Sequence, residues 1–167
     1  LQYFDGLASR WDQLHGDEHD VLKTQLLLEE GLRRFGVGPA ERIVDLGCGT
    51  GRAAETLLKR YRRASVLAVD FATGMLQQAR RRGRWLRRPL PLCADAEHLP
   101  LATASCDLVF SSLTLQWCND LDRTFREFLR VLRPGGLLMF TTFGPDTLKE
   151  LRAAWAAGEA PEVEAEL

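Results

Sequence analysis

The sequence predicts an α/β fold: a doubly wound, mostly parallel sheet with helices on both faces. Three observations lead there. Short apolar runs alternate with segments of helical period along most of the chain. One run, Ile43 to Leu46, opens onto a glycine turn, Gly47-Cys48-Gly49-Thr50-Gly51, and then onto a helical stretch from Arg52 to Tyr61. Carboxylates stand at or just after the ends of successive runs, at Asp45, Asp70 and Asp95. Strand, glycine turn and helix in that order open a nucleotide-binding unit. Glycine suits the turn because the backbone can approach a ligand with no Cβ in the way.

Size and composition allow such a fold. With 167 residues, 46% of them hydrophobic, the chain is one domain by length and large enough for a real core. A formal charge of −1 implies no polyanionic partner such as nucleic acid. No apolar run approaches the roughly 20 residues that a membrane-spanning helix needs. No signal peptide is visible, and a start at Leu1 rather than Met suggests a missing N-terminal piece. Cys48, Cys93, Cys106 and Cys118 form no CxxC pair, which suits a reduced, cytoplasmic protein.

Residues 1–40 read as a helical cap. Phe4, Leu7, Trp11 and Leu14 share one stripe, Leu28, Leu32 and Phe35 another, and Gly36-Val37-Gly38-Pro39 ends it. In the helix after the glycine turn, Ala53, Ala54, Leu57, Leu58 and Tyr61 share a face. Ser65–Asp70 is a second strand, apolar enough to be covered on both sides. A helix is expected over Thr73–Arg82, a weaker strand over Pro89–Cys93 and a fourth strand over Asp107–Ser111. Asn119 or Asp120 can cap the next helix, with Leu121, Phe125, Phe128, Leu129 and Leu132 as its stripe. Pro134-Gly135-Gly136 should stop that helix, Leu137–Thr142 form a fifth strand and Asp146–Ala157 a last helix. The core then spans residues 41–144, and 145–167 are the last helix and tail.

Two charged features stand apart. His15 and His19 have a spacing that could serve a metal, but Gly16 weakens the helix and no third ligand is evident, so no metal is expected. Arg80, Arg81, Arg82, Arg84, Arg87 and Arg88 form a basic run. It reads as a solvated helix end suited to the C-terminal dipole, with docking of an acidic partner or nucleic acid as the alternative. Trp85 alone interleaves it, which is thin support for nucleic acid.

The loop does not suit a dinucleotide. The G-x-G-x-x-G fingerprint needs glycine where Arg52 stands. Asp45 at the strand end would repel a pyrophosphate and attract an ammonium or sulfonium. At ~5 Å and an effective dielectric near 20, one charge pair is worth on the order of 3 kcal/mol, so the sign of the ligand matters. Asp70 can accept both hydroxyls of a ribose, and Asp95 can accept from the amine of adenine. S-adenosylmethionine, with ribose, adenine, ammonium and sulfonium but no phosphate, fits these three acids.

The motifs carry a resemblance. Asp45-Leu46-Gly47-Cys48-Gly49-Thr50-Gly51 resembles the first motif of class I S-adenosylmethionine-dependent methyltransferases, which are Rossmann-like. Val69-Asp70-Phe71 with Gly74-Met75-Leu76 resembles the second, Cys93–Pro100 the third, and Arg130–Gly136 the approach to the fifth strand. The resemblance implies that Gly47, Cys48, Gly49 and Gly51 pass under the methionine part and Asp45 faces its ammonium. Asp70 would hold the ribose, Phe71 and Met75 cover the adenine, Asp95 and Ala96 read its edge, and Ser111 lie near the methyl donor. The class continues to a sixth and an antiparallel seventh strand, so the C-terminal strands are expected to be missing here.

The stretches Ser111–Cys118, with its Leu-Gln-Trp step, and Thr141–Arg152 are similar to the malonyl-acyl-carrier-protein O-methyltransferases of biotin synthesis. That resemblance implies methylation of the free carboxylate of a malonyl thioester on an acidic carrier, with Gln116, Trp117, Phe143 and Arg152 on the substrate side. A carboxylate is already ionised at pH 7, so no catalytic base is needed and the protein need only position and exclude water. Alternatives are a quinone-ring C-methyltransferase, for which His98, otherwise read as loop structure, would be the candidate base, the related mitochondrial complex I assembly hydroxylase, a trans-aconitate-type carboxyl methyltransferase, and a methyltransferase-like assembly or binding protein without turnover.

Overall fold

A computed structural model of the chain describes Leu26, Glu30, residues 40–83 and residues 86–156. The expected cap over 1–40, the His15–His19 pair, Arg84, Trp85 and the tail after Ala156 lie outside the described residues, Leu26, Glu30 and Ala40 excepted. The described elements follow the strand–helix alternation: β1 (Arg42–Leu46), α1 (Arg52–Arg60), β2 (Ser65–Asp70), α2 (Thr73–Ala79), β3 (Leu90–Cys93), β4 (Cys106–Ser112), a 3₁₀ turn (Leu115–Trp117), α3 (Leu121–Val131), β5 (Leu132–Thr141) and α4 (Lys149–Ala156).

The five strands lie in the order β3-β2-β1-β4-β5, and every pairing is parallel. The chain winds outward from β1 to β3, then returns to lay β4 against β1. The crevice beyond the carboxyl ends of β1 and β4 is therefore the switch point where such sheets bind ligands.

Side-chain alternation splits the core into two layers. Ile43, Val66, Ala68, Leu108 and Phe110 pack against Ala54, Leu57 and Leu58 of α1 and Leu76 and Ala79 of α2. On the other face Val44, Leu46, Val69 and Val109 meet Leu99, Leu115, Phe128 and Val131. The register Asp45↔Phe110 and Leu46↔Ser111 puts Asp45 on the α1 face and Ser111 on the α3 face. Among the described residues no helix is long and apolar enough to cross a membrane.

Three boundaries and one buried face differ from what the sequence predicts. Helix α2 ends at Ala79, because Arg81 and Arg82 turn back onto Gln78 and Ala79 and Gly83 takes φ 86°. In α3 the buried line is Thr124, Phe128 and Val131, whereas Leu121 and Leu129 are exposed. Thr124 is tolerated inside because its hydroxyl donates to the Asp120 carbonyl at 2.8 Å. Pro134-Gly135-Gly136 does not separate helix from strand: it lies within β5 as a bulge between the pairs Cys106↔Leu132 and Leu108↔Leu137. Among the described strands β5 has only β4 as neighbour, and such an edge tolerates proline. Finally, α4 starts at Lys149 after Leu148 at φ 56°, so Asp146 contributes a turn carbonyl rather than a helix cap.

Candidate cofactor site at the glycine loop

The loop after β1 is pinned to the neighbouring strand. The N–H groups of Gly47 and Cys48 both donate to the Val69 carbonyl, at 2.8 and 3.0 Å, and Gly49 N–H donates to Asp70 Oδ2 at 2.8 Å. Asp70 Oδ1 accepts from Ala72 N–H at 2.9 Å. Asp70 thus anchors both the glycine loop and the start of α2, a role the sequence reading did not assign. Gly49, at φ 52°, has nothing within 4 Å of where a Cβ would stand, so its backbone presents an open face. Gly51 serves packing: a Cβ there would meet Ala79 Cα and Cβ at 2.8 Å.

Asp45 lies beneath the loop with 1% exposure. It accepts from the N–H of Ala54 in the first turn of α1, while Oδ2 is buried without a partner. Burial, together with the charge of Asp70, raises its pKa from 3.8 to about 7, although the Ala54 bond opposes this. Burial and the same two acids push the Cys48 thiol far up, which makes it a poor nucleophile. Two acids on one face with a desolvated, unpartnered oxygen form a site that favours a cation.

The remaining expected residues are less concentrated. Met75 is buried and Phe71 exposed. Asp95 is exposed and accepts from Glu97 N–H at 2.9 Å, and Ala96 is half-buried. Ser111 is fully buried on the α3 face with its hydroxyl unpartnered. Gln116 is exposed and donates to the Leu113 carbonyl at 2.6 Å, and Trp117 and Phe143 are exposed. Arg152 is exposed, and its guanidinium donates to the Pro145 carbonyl.

Several organising residues escape a reading based on strand ends. Glu97 Oε1 accepts from the N–H groups of Asn119 and Asp120 at 2.6 and 3.0 Å, tying the loop after β3 to the start of α3. Glu127 accepts from Leu99 N–H at 2.7 Å and from Arg130 at 2.6 and 2.8 Å, and Arg130 donates onward to the Leu99 and Leu101 carbonyls. That bond to Arg130 draws the Glu127 carboxyl down to about 2. The i,i+3 spacing of Glu127 and Arg130 was the available signal. Asp107 accepts from Glu41 and Arg42 N–H, both at 2.7 Å, and pairs with Arg133 at 2.9 Å. Burial alone would raise its pKa, but those bonds and charges lower it.

A cleft of about 570 Å³ lies beside the Glu127–Arg130 pair, lined by residues that include His98, Asp120, Arg123, Arg126 and Glu127. None of Asp45, Gly47, Gly49 or Asp70 lines it, so this cleft is not the site built by the glycine loop. Among the described residues no group of three or more His, Cys, Asp or Glu is placed to hold a metal.

The family model described as methyltransferase domain matches residues 44–140, more than half the chain. The chain belongs to the methyltransferase-domain family. Its similarity to curated proteins is narrower. A malonyl-[acyl-carrier protein] O-methyltransferase of Halorhodospira halophila is 50% identical over 153 residues, covering 92% of this chain and 50% of that protein. One of Methylovorus sp. is 52% identical over 157 residues, covering 90% of this chain and 52% of the relative. The chain spans about half the length of the curated relatives it matches. Among solved structures, an S-adenosylmethionine-dependent methyltransferase of Mesorhizobium loti is 37% identical with a TM-score of 0.57, over 65% of this chain and 49% of that one. Another, of Clostridium acetobutylicum, shares the fold at 24% identity, with a TM-score of 0.69 over 89% of this chain and 61% of its own.

The methyltransferase domain's residues fit S-adenosylmethionine. The unpartnered Asp45 oxygen and the Asp45–Asp70 pair suit a ligand carrying positive charge, and the open face at Gly49 leaves room for it.

Proposed function

We propose that the chain binds S-adenosylmethionine over the glycine loop and methylates the free carboxylate of a malonyl thioester borne on an acyl carrier protein. The desolvated acid pair beneath an open glycine turn supports the cofactor half of this reading. The substrate half rests on relatives about half identical whose names state that substrate. Residues 41–144 form the cofactor core in this reading, with 1–40 as a helical cap, 145–167 as the last helix and tail, and the cytoplasm as the compartment.

Bound there, the cofactor would supply an electrophilic methyl on a sulfonium. The chain's residues have lighter tasks. Asp45 would balance the ligand's positive charge and Asp70, through its remaining lone pairs, would hold the ribose. Phe71 and Met75 would flank the adenine and Asp95 and Ala96 meet its edge. Ser111 would stand beside the reacting end from its buried position. Gln116, Trp117, Phe143 and Arg152 would orient the thioester. No side chain need take a proton, because the substrate carboxylate is ionised at neutral pH.

The basic run supports the carrier. Arg82 and Arg87 are structural: Arg82 Nε donates to the Thr50 carbonyl at 2.7 Å and Arg87 Nη2 to the Tyr61 carbonyl at 2.9 Å. Arg80, Arg81 and Arg88 are exposed and suit an acidic protein surface. Reversing Arg81 and Arg88 to Glu should raise KM for a carrier-bound substrate and spare a coenzyme A thioester.

The test is transfer of a labelled methyl from S-adenosylmethionine to a panel of malonyl thioesters, quinone precursors and aconitate. Label on the malonyl carboxylate is expected. Label on a quinone precursor or aconitate instead would overturn the substrate, and a flat calorimetric titration with S-adenosylmethionine would overturn the cofactor.

A further inference from the structure

After Ser112 the chain leaves β4 with Leu113 in the left-handed region at φ 51°, a conformation that persists in a branched side chain only where its surroundings enforce it. The turn carries Thr114 back across the end of β1. Its hydroxyl lies 3.2 Å from the carbonyl oxygens of both Leu46 and Ser112 and shares its proton between them. Its side chain also fills the space beside the first loop glycine. A Cβ on Gly47 would stand 2.0 Å from Thr114 Oγ1 and 2.4 Å from Cγ2. The backbone of the same residue starts the next turn, since Trp117 N–H donates to the Thr114 carbonyl at 2.9 Å. Gln116 closes that turn onto the Leu113 carbonyl.

We propose that Thr114 is a positioning residue that locks the glycine loop and the Leu115–Trp117 turn into one unit, so that cofactor bound at the loop orders the substrate side. This inference rests on the function proposed above. A β-branched side chain has few rotamers, so the contact is a short, stiff link. Gly47 cannot move toward β4 unless Thr114 moves, and Thr114 cannot move without carrying the carbonyl that holds Trp117. Leu115 seats the turn in the core while Trp117 is 61% exposed, so Thr114 sets where the outer part of the turn stands relative to the loop. Coupling of this kind is reciprocal: whatever orders the turn also favours the bound loop.

Two substitutions separate the hydroxyl from mere shape. Thr114→Val keeps the volume and removes the hydroxyl, whereas Thr114→Ser keeps the hydroxyl. S-adenosylmethionine affinity is measured by calorimetry, and amide exchange of residues 113–118 is followed with and without that ligand. Wild type and Thr114→Ser should bind alike and gain protection over 113–118. Thr114→Val should bind about tenfold more weakly and gain none, while ligand-free exchange in β1 and β4 is unchanged. Gly47→Ala, pressing on Thr114 from the loop side, should speed ligand-free exchange of 113–118 by about tenfold. Ligand-linked protection in Thr114→Val equal to wild type would overturn the assignment, as would equal losses in the Ser and Val variants or unchanged exchange in Gly47→Ala. A wild type that binds no S-adenosylmethionine would instead overturn the cofactor reading itself.

Discussion

The middle of the sheet and its β5 edge are built differently. Around β1 and β2 the glycine loop is fixed by bonds to Val69 and Asp70 and packed beneath by Ala54, Leu57 and Ala79, all fully buried. Around β5 and α4, Phe140, Phe143, Leu148 and Trp155 are exposed, and α4 buries no residue. The first region is specified by backbone hydrogen bonds, close glycine contacts and buried charge. The second presents apolar side chains with little against them among the described residues. In the proposed function, cofactor binding would fall to the tightly held interior and substrate handling to groups that the described residues leave loosely held.

Stability should divide along the same line. Leu57→Ala removes a fully buried side chain beneath the loop and should cost about 2–5 kcal/mol of unfolding free energy. Trp155→Ala, at 63% exposure on α4, should cost no more than about 0.5 kcal/mol despite its larger side chain. Denaturant titrations that gave both variants similar losses would break the contrast.

Asp45 sharpens the contrast with pH. Its folded pKa of about 7 exceeds the unfolded 3.8, so ionising it opposes folding. Ligand-free stability is then fullest below the unfolded value, declines as pH rises toward 7 and levels off above it, by on the order of 4 kcal/mol at most. Asp107 and Glu127 have lowered pKa values, so their contribution is lost only at acid pH and is constant above about pH 5. A cation bound near Asp45 favours its ionised form, so S-adenosylmethionine affinity should rise between pH 5 and 8. Asp45→Asn should flatten both curves; thermal melts and calorimetry across that range decide it.

Asp70→Ala should weaken S-adenosylmethionine by about 1.5–3 kcal/mol, the scale of hydrogen bonds to a charged group. It should also lower the melting temperature, because Gly49 and Ala72 lose their acceptor. Calorimetry with equal affinity for variant and wild type would remove the ribose from Asp70.

These residues also show what sequence can and cannot convey. The strands near the loop were legible because apolar runs bounded by glycine and aspartate leave few alternatives: Ser65–Asp70 is a strand over the very residues expected. Asp45 and Asp70 were legible as acids at strand ends, but not the bonds by which Asp70 holds the loop, which require β1 and β2 to be side by side. The bonds of Thr114 to Leu46, Glu127 to Leu99 and Asp107 to Glu41 were missed for the same reason, since those partners lie 68, 28 and 66 residues away in sequence. The bulge at Pro134–Gly136 was misread because proline and glycines usually end an element, and only pairing with β4 keeps them in a strand.

Arg152 gives the smallest expected effect and tests the loose end of the sheet directly. An arginine forked onto a buried substrate carboxylate would be worth several kcal/mol. Here the guanidinium is exposed, sits on a helix with no buried face and already donates to Pro145. An exposed pair of that kind is worth about 0.2–1 kcal/mol, because water screens it and the long side chain must be ordered. Arg152→Ala should therefore lower kcat/KM for a malonyl thioester by about 1 kcal/mol or less and leave S-adenosylmethionine affinity unchanged. Arg152→Lys should recover little, because an ammonium lacks the planar fork. A loss of several kcal/mol would mean that the substrate buries Arg152 on arrival, and the contrast between a fixed cofactor side and a loose substrate side would then hold only before the substrate binds.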